Sequence, residues 1–188
     1  MPEKKGGKRD LILDTAFELI LSNGFINTKI IDIANTAGIG KGTVYEYFES
    51  KEALLLELLN TRVRQDYMNV CGAAEKSASC KQKLAEYFRL EVETTVKYNI
   101  NVTDFISRST DISKRITEAI QSIMAFQFEY VKNVVAHGIE AGEFRDVDPY
   151  TAAACFMGGI SFYLHMLHLG LPCTEYSFLD CIYNGLLV

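Results

Sequence analysis

A chain of 188 residues that is 48% hydrophobic can bury one or two compact cores, which excludes a disordered protein. Its 19 basic and 24 acidic residues give a formal charge of -5 and a pI near 5.3, so bulk charge does not by itself point to a nucleic-acid partner. Five cysteines, an odd number without CxxC spacing, argue against a secreted disulfide framework and predict a reducing, cytoplasmic setting.

Lys4, Lys5, Lys8 and Arg9 concentrate positive charge ahead of the first helix, where a flexible arm could reach DNA; an ordinary solvated terminus is the alternative. From Asp10 to Asn23 the pattern is helical, with Ile12, Ala16, Leu19 and Ile20 facing inward and Asn23-Gly24 as the stop. Asp14 and Glu18 make this stretch amphipathic, unlike a signal peptide. Thr28 is the predicted N-cap of a second helix, whose apolar face is Ile30, Ile33, Ala34 and Ala37 and which Gly38 ends. A third, from about Gly40 to Phe48, buries Val44 and Phe48 and distributes Lys41, Thr43, Tyr45 and Tyr47 over its other sides. Two short helices joined by a glycine turn form a helix-turn-helix unit, whose second helix lies in the DNA major groove.

The charges of this unit point the same way. Lys41 and Lys51 stand at the N-terminal ends of helices, where their sign is unfavourable by roughly 0.3 to 1 kcal/mol. A DNA phosphate would reverse that sign; solvated surface lysines are the plain alternative.

From Ser50, a predicted N-cap, a long helix runs through Leu54, Leu55, Leu58 and Leu59 to about Glu75 and should link a head to a body. Leu84, Tyr87, Phe88, Glu91, Val92 and Thr95 mark one face of the next helix, and a shorter one is predicted from Val102 to Ser109. A long helix starting near Asp111 or Ser113 carries Ile116, Ile120, Ile123, Gln127, Tyr130, Val134 and Gly138 until Gly142 stops it. Pro149 to Gly170 contains no Asp, Glu, Lys or Arg and is long enough to cross a bilayer. Asp148 and Pro149 as N-cap and N1, Gly170 and Pro172 as a stop, and internal His165 and His168 favour instead a helix buried on two sides. A last helix spans about Thr174 to Leu187 with Phe178, Leu179, Ile182 and Tyr183. The fold class is all-α.

Residues 8 to 58 resemble the DNA-binding region of the TetR family of bacterial transcriptional regulators. The carriers are Thr28, Asp32-Ile33-Ala34, Ala37-Gly38, the Gly40-Lys41-Gly42-Thr43-Val44-Tyr45 run, Tyr47-Phe48 and Ser50-Lys51-Glu52-Ala53-Leu54. Glu46 and Ile31 depart from the family's usual choices. The resemblance implies a three-helix head, residues 1–49, and a helical ligand-binding and dimerisation body, residues 50–188. It places Thr28, Lys41, Tyr45, Tyr47 and Lys51 on phosphates and Gly42 and Thr43 against base edges. It also implies a homodimer through the two C-terminal helices, an inverted-repeat operator of double-stranded DNA, and repression relieved by a small molecule.

Candidate ligand-binding residues are Tyr87, Phe88, Phe105, Phe126, Tyr130, Phe156, Phe162, Tyr163 and His165, which suit an apolar or aromatic effector; aromatics at helical spacing are equally the material of a core. His165 and His168 share a helix face but have no third ligand in the sequence, so neither a metal nor a cofactor is expected. A thiol-based redox-sensing regulator is the alternative, with Cys155, Cys173 and Cys181 expected as buried, inert thiols, and a small-molecule binder without DNA is a further one. No GxSxG, HExxH, P-loop or dinucleotide fingerprint is present, so an enzyme is not expected.

Overall fold

The computed structural model describes residues 7–98 and 111–186. Lys4 and Lys5 of the basic arm, the helix expected over 102–109 with Phe105, and Leu187 lie outside the described residues. Every regular element among those described is helical: α1 (Lys8–Asn23), α2 (Ile30–Ala37), α3 (Lys41–Tyr47), α4 (Lys51–Leu58), α5 (Arg64–Ala74), α6 (Cys80–Tyr98), α7 (Asp111–Glu140), α8 (Pro149–His168) and α9 (Glu175–Leu186). A π-helical turn, Leu59–Val63, stands between α4 and α5. The chain gathers into two compact units, Met1–Arg64 with Lys97–Gln121 and Gln65–Val96 with Ser122–Val188.

In the first unit α1 packs on α2 and α4, and α2 on α3. Ile12, Ala16, Ile33, Ala34, Val44, Leu54, Leu55 and Leu58 are removed from solvent. Gly38 ends α2 in the left-handed region at φ 69°, a backbone state in which a side chain other than glycine is strained. The predicted cap of α2 is corrected: Lys29 holds the N-cap position, and the Asp32 carboxylate accepts its backbone N–H at 3.1 Å. Ser50 caps α4 as expected, accepting the Ala53 N–H at 3.0 Å.

The second unit has a continuous core running from Val70, Cys71 and Ala74 through Leu84, Tyr87 and Phe88 to Val131, Val134, Phe156, Ile160 and Tyr163. Its α7–α8 turn is fastened at several points. Gly142 adopts φ 73°, and the chain folds back so that Glu143 and Phe144 both donate backbone N–H groups to the Gly138 carbonyl. The Glu143 carboxylate then accepts the N–H groups of Cys80 and Lys81, each at 3.1 Å, and so serves the free donors at the start of α6. Asp148 caps α8, accepting the Thr151 N–H at 2.7 Å, with Pro149 at the first helical position.

Helix α8 buries Ala152, Ala153, Phe156, Ile160 and Tyr163, while Phe162, Leu167 and, beyond its end, Leu169 and Leu171 face outward. Among the described residues no helix is long and apolar enough to cross a membrane.

Candidate functional sites

The outer face of α3 is built by what lies beneath it. Val44 is fully buried and Phe48 nearly so, which turns Lys41, Gly42, Tyr45, Glu46 and Tyr47 to solvent, with Thr43 half-buried at the edge. Tyr45 and Tyr47 keep 47% and 40% of their surface exposed although large aromatics usually find cover. The Lys41 ammonium stands 5.7 Å above the Tyr45 ring. Gly42 has open space where a Cβ would point and no positive φ, so nothing inside the protein requires a glycine there. Glycine inside a helix costs roughly 0.5 to 1 kcal/mol relative to alanine, and close approach of a ligand to the backbone is one of the few reasons to keep it.

Two of the predicted DNA contacts have hydrogen-bond partners within the protein. Thr28 is only 1% exposed, and its hydroxyl is spent on the Gly24 and Leu19 carbonyls at 2.8 and 3.2 Å. It therefore ties the α1–α2 turn from inside instead of offering its side chain to a phosphate. Lys51 reaches back across the same turn, donating to the carbonyls of Phe25 at 2.8 Å and Ile26 at 3.3 Å, with its ammonium 4.2 Å from the centroid of the Phe25 ring. Its charge holds the segment that leads into α2. Replacement of Lys51 by alanine is expected to destabilise the head by about 2 kcal/mol, since hydrogen bonds from a charged donor are lost. The salt dependence of DNA binding should keep its slope, and a slope shallower by one unit would return Lys51 to phosphate contact. Arg9 is likewise engaged, paired with Glu57 and 5.0 Å from the centroid of the Phe48 ring, so it is not part of a free arm.

In the second unit, five of the nine predicted ligand-site residues, Tyr87, Phe88, Tyr130, Phe156 and Tyr163, come together. Tyr87 lies 5.6 Å from Tyr130 and 6.3 Å from Phe156 between ring centroids, and Phe88 lies 5.0 Å from Tyr163. Phe178 of α9, absent from the predicted set, stacks on Phe88 at 4.6 Å. Phe126, Phe162 and His165 do not join this cluster: all three are exposed, Phe162 by 64%. Cys155 and Cys181 are also exposed, contrary to the expectation of buried thiols, and border a groove of about 430 Å³ with Asp148, Thr151 and Ile182. Cys173 is half-buried.

Sequence reasoning put Glu91 and Gln127 on helix stripes but missed that they meet. Gln127 Nε2 lies 2.6 Å from Glu91 Oε2 and 3.1 Å from Tyr87 Oη, and the Thr95 hydroxyl donates to Glu91 Oε1 at 3.2 Å. Glu91 keeps only 7% of its surface, and this burial pushes its carboxyl up to about 7 against the hydrogen bonds that pull it down. The signal was present: an acid and an amide each interrupt an otherwise apolar stripe. Among the described residues no group of three or more potential metal ligands occurs.

Residues 12–58 match the family described as bacterial regulatory proteins, tetR family. The chain is similar to the uncharacterized HTH-type transcriptional regulator YuxN of Bacillus subtilis, 28% identical over 189 residues that cover 94% of this chain and 61% of that protein. It thus spans about three fifths of that relative's length. A fatty acid metabolism regulator protein of the same organism is 28% identical over 149 residues, 77% of this chain and 74% of that protein. The fold superposes on a proposed transcriptional regulator from Saccharomonospora viridis solved in complex with choline, with a TM-score of 0.82 and 20% identity, covering 96% of this chain and 98% of that one.

Proposed function

We propose, from the premise that this chain belongs to the TetR family of bacterial transcriptional regulators, that it is a cytoplasmic repressor that binds an inverted-repeat operator as a homodimer and leaves it when a small molecule binds its body. Residues 1–49 read DNA in this account, and residues 50–188 take the ligand and the second subunit. The observation that carries the reading is the face of α3, where Lys41, Tyr45 and Tyr47 surround a glycine that the fold itself does not need. Lys41 and the tyrosine hydroxyls suit phosphates, Gly42 lets the backbone approach, and Thr43 offers a hydroxyl and a methyl to a base edge. A single short helix reads few base pairs, so two-fold symmetry supplies the rest of the operator.

The outward apolar face of α8, with Phe162 and Leu167, and Tyr176 at the start of α9 support a subunit interface there. Effector binding lowers operator affinity by favouring a dimer state whose recognition helices no longer match the half-site spacing. The relatives are transcriptional regulators, and regulation without catalysis is the role assigned here.

Selection of random duplex DNA by the purified chain, with the mass of the bound species measured alongside, tests the reading. Enrichment of an inverted repeat carried by dimers is the expected result; a folded dimer that enriches nothing overturns it. Replacement of Lys41 by alanine should weaken binding to every sequence alike and make the log-log salt dependence shallower by about one unit. A change confined to one base position would instead make Lys41 a base reader.

A further inference from the structure

The last turn of α3 carries a charge of the wrong sign for its own helix. Helix α3, Lys41–Tyr47, turns by about 100° per residue, and its inward direction is fixed by Val44, fully buried, and by Phe48 at its C-cap, nearly so. Glu46 lies two residues from each of them, about 200° of turn, and so points directly away from the protein. Gly42 and Thr43, four and three residues earlier, border it on the same side, while Tyr45 and Tyr47 stand about 100° to either side. For a helix seated in the major groove the outward direction is that of the base edges, and the flanks meet the phosphate walls. Gly42, one turn before Glu46, has open space where a Cβ would point, so the base edges can approach the backbone there. The side chain that reaches deepest is therefore Glu46.

Nothing in the fold employs that side chain. It is exposed, and among the described residues no hydrogen bond or ion pair engages its carboxylate. Asp14, Asp32 and Glu57 of the same unit are each engaged, by Arg62, the Lys29 N–H and Arg9. The last turn of a helix holds partial negative charge, so an acid there is unfavourable for α3 itself, and no basic residue offsets it in that turn. A surface kept only for phosphates would exclude it as well, since a carboxylate repels the polyanion.

The bases supply what the protein does not. A carboxylate only accepts hydrogen bonds, and the major groove displays two kinds of donor, the N4 amino group of cytosine and the N6 amino group of adenine. Adenine presents the N7 lone pair beside N6, against the second carboxylate oxygen, whereas cytosine presents a C–H beside N4. Guanine and thymine show no donor there.

We propose that Glu46 is a specificity-determining residue: its carboxylate accepts from N4 of one cytosine in each half-site and repels the helix from sequences that lack it. The proposal rests on operator binding through α3 and names the base that its outermost side chain selects.

The test is selection of random duplex DNA by the full native chain, Glu46→Gln and Glu46→Ala, followed by titration of each with the native operator and its single-base-pair variants at one salt concentration. Expected is a C·G pair in each half-site at which any substitution costs the native chain about tenfold or more. Glu46→Gln should prefer A·T at that position, because an amide matches N6 and N7 of adenine, and keep the other positions. Glu46→Ala should lose the preference there and bind unrelated duplex several-fold more tightly than the native chain. A duplex with 2-pyrimidinone in place of that cytosine lacks the N4 amino group: native affinity for it should fall about tenfold, and that of Glu46→Ala should stay within about twofold. Selection of the same base at every position by all three chains, or discrimination weakened evenly over all positions, overturns the proposal and leaves operator binding standing. Enrichment of no operator by any of the three overturns both.

Discussion

Replacing Gly138 by alanine is expected to destabilise the second unit by more than 2 kcal/mol, although glycine-to-alanine changes inside helices ordinarily stabilise by up to about 1 kcal/mol. A Cβ at this position would lie 2.2 Å from Phe144 Cδ2, 2.3 Å from Cε2 and 3.1 Å from Cys80 Cβ. Carbon atoms in contact stand about 3.5 to 4 Å apart, so the ring would have to move by more than 1 Å. It has little freedom to do so. Phe144 is 2% exposed, and its own N–H is bonded to the Gly138 carbonyl at 3.1 Å, which fixes the backbone that carries the ring. Denaturant unfolding of the single and double variants measures the effect. Phe144→Ala alone should cost about 3 to 5 kcal/mol. In that background Gly138→Ala should be near neutral, because the ring it struck is gone and only the 3.1 Å approach to Cys80 Cβ remains. A cost that persists in the double variant would place the difficulty elsewhere than the ring.

The contrast between Gly138 and Gly38 shows what the sequence could and could not convey. Gly38 follows a four-residue apolar periodicity and precedes a second helix, so its left-handed turn is a local matter and legible. Gly138 sits in a helical stripe with nothing local to explain it, since its reason is a ring six residues onward that returns only after Gly142 reverses the chain. The same limit governs the head. Val44, Phe48 and Ser50 behave as their near neighbours dictate, as Asp148 does in the second unit. Lys51 and Thr28 have donors that could serve phosphate or protein: Thr28 is engaged by the Gly24 and Leu19 carbonyls of its own turn, whereas Lys51 reaches the Phe25–Ile26 turn only through the return of α4 across 26 residues. In α8 nearly every position is apolar, so periodicity cannot separate Phe156, inside, from Phe162, outside. The π-helical turn at Leu59–Val63 interrupts a run of leucines that carries no breaker residue.

The stability of the ligand-free chain should fall as the pH rises through the window between about 4.5 and 7, and Glu91 is the group responsible. Its carboxyl moves from the ordinary 4.5 to about 7 on folding, with burial as the largest cause. The folded state therefore holds a proton that the unfolded state has released, and stability declines with pH wherever the native state binds more protons. The contribution is intact below the unfolded value and fully lost above the folded one. At roughly 1.4 kcal/mol per pH unit this amounts to about 3 kcal/mol. Other acids titrate in the same range, so the informative quantity is the difference between native chain and Glu91→Gln in urea unfolding at pH 5 and pH 8. At pH 5, where the folded carboxyl is neutral, the variant exchanges one neutral hydrogen-bonding group for another, a change worth about 0.5 to 1.5 kcal/mol. It escapes most of the cost of ionisation, which falls between pH 5 and pH 8, so the native-minus-variant difference should shift by about 2.5 kcal/mol toward the variant on going from pH 5 to pH 8. A constant difference would mean that Glu91 titrates alike folded and unfolded, and that its burial is compensated in the native state.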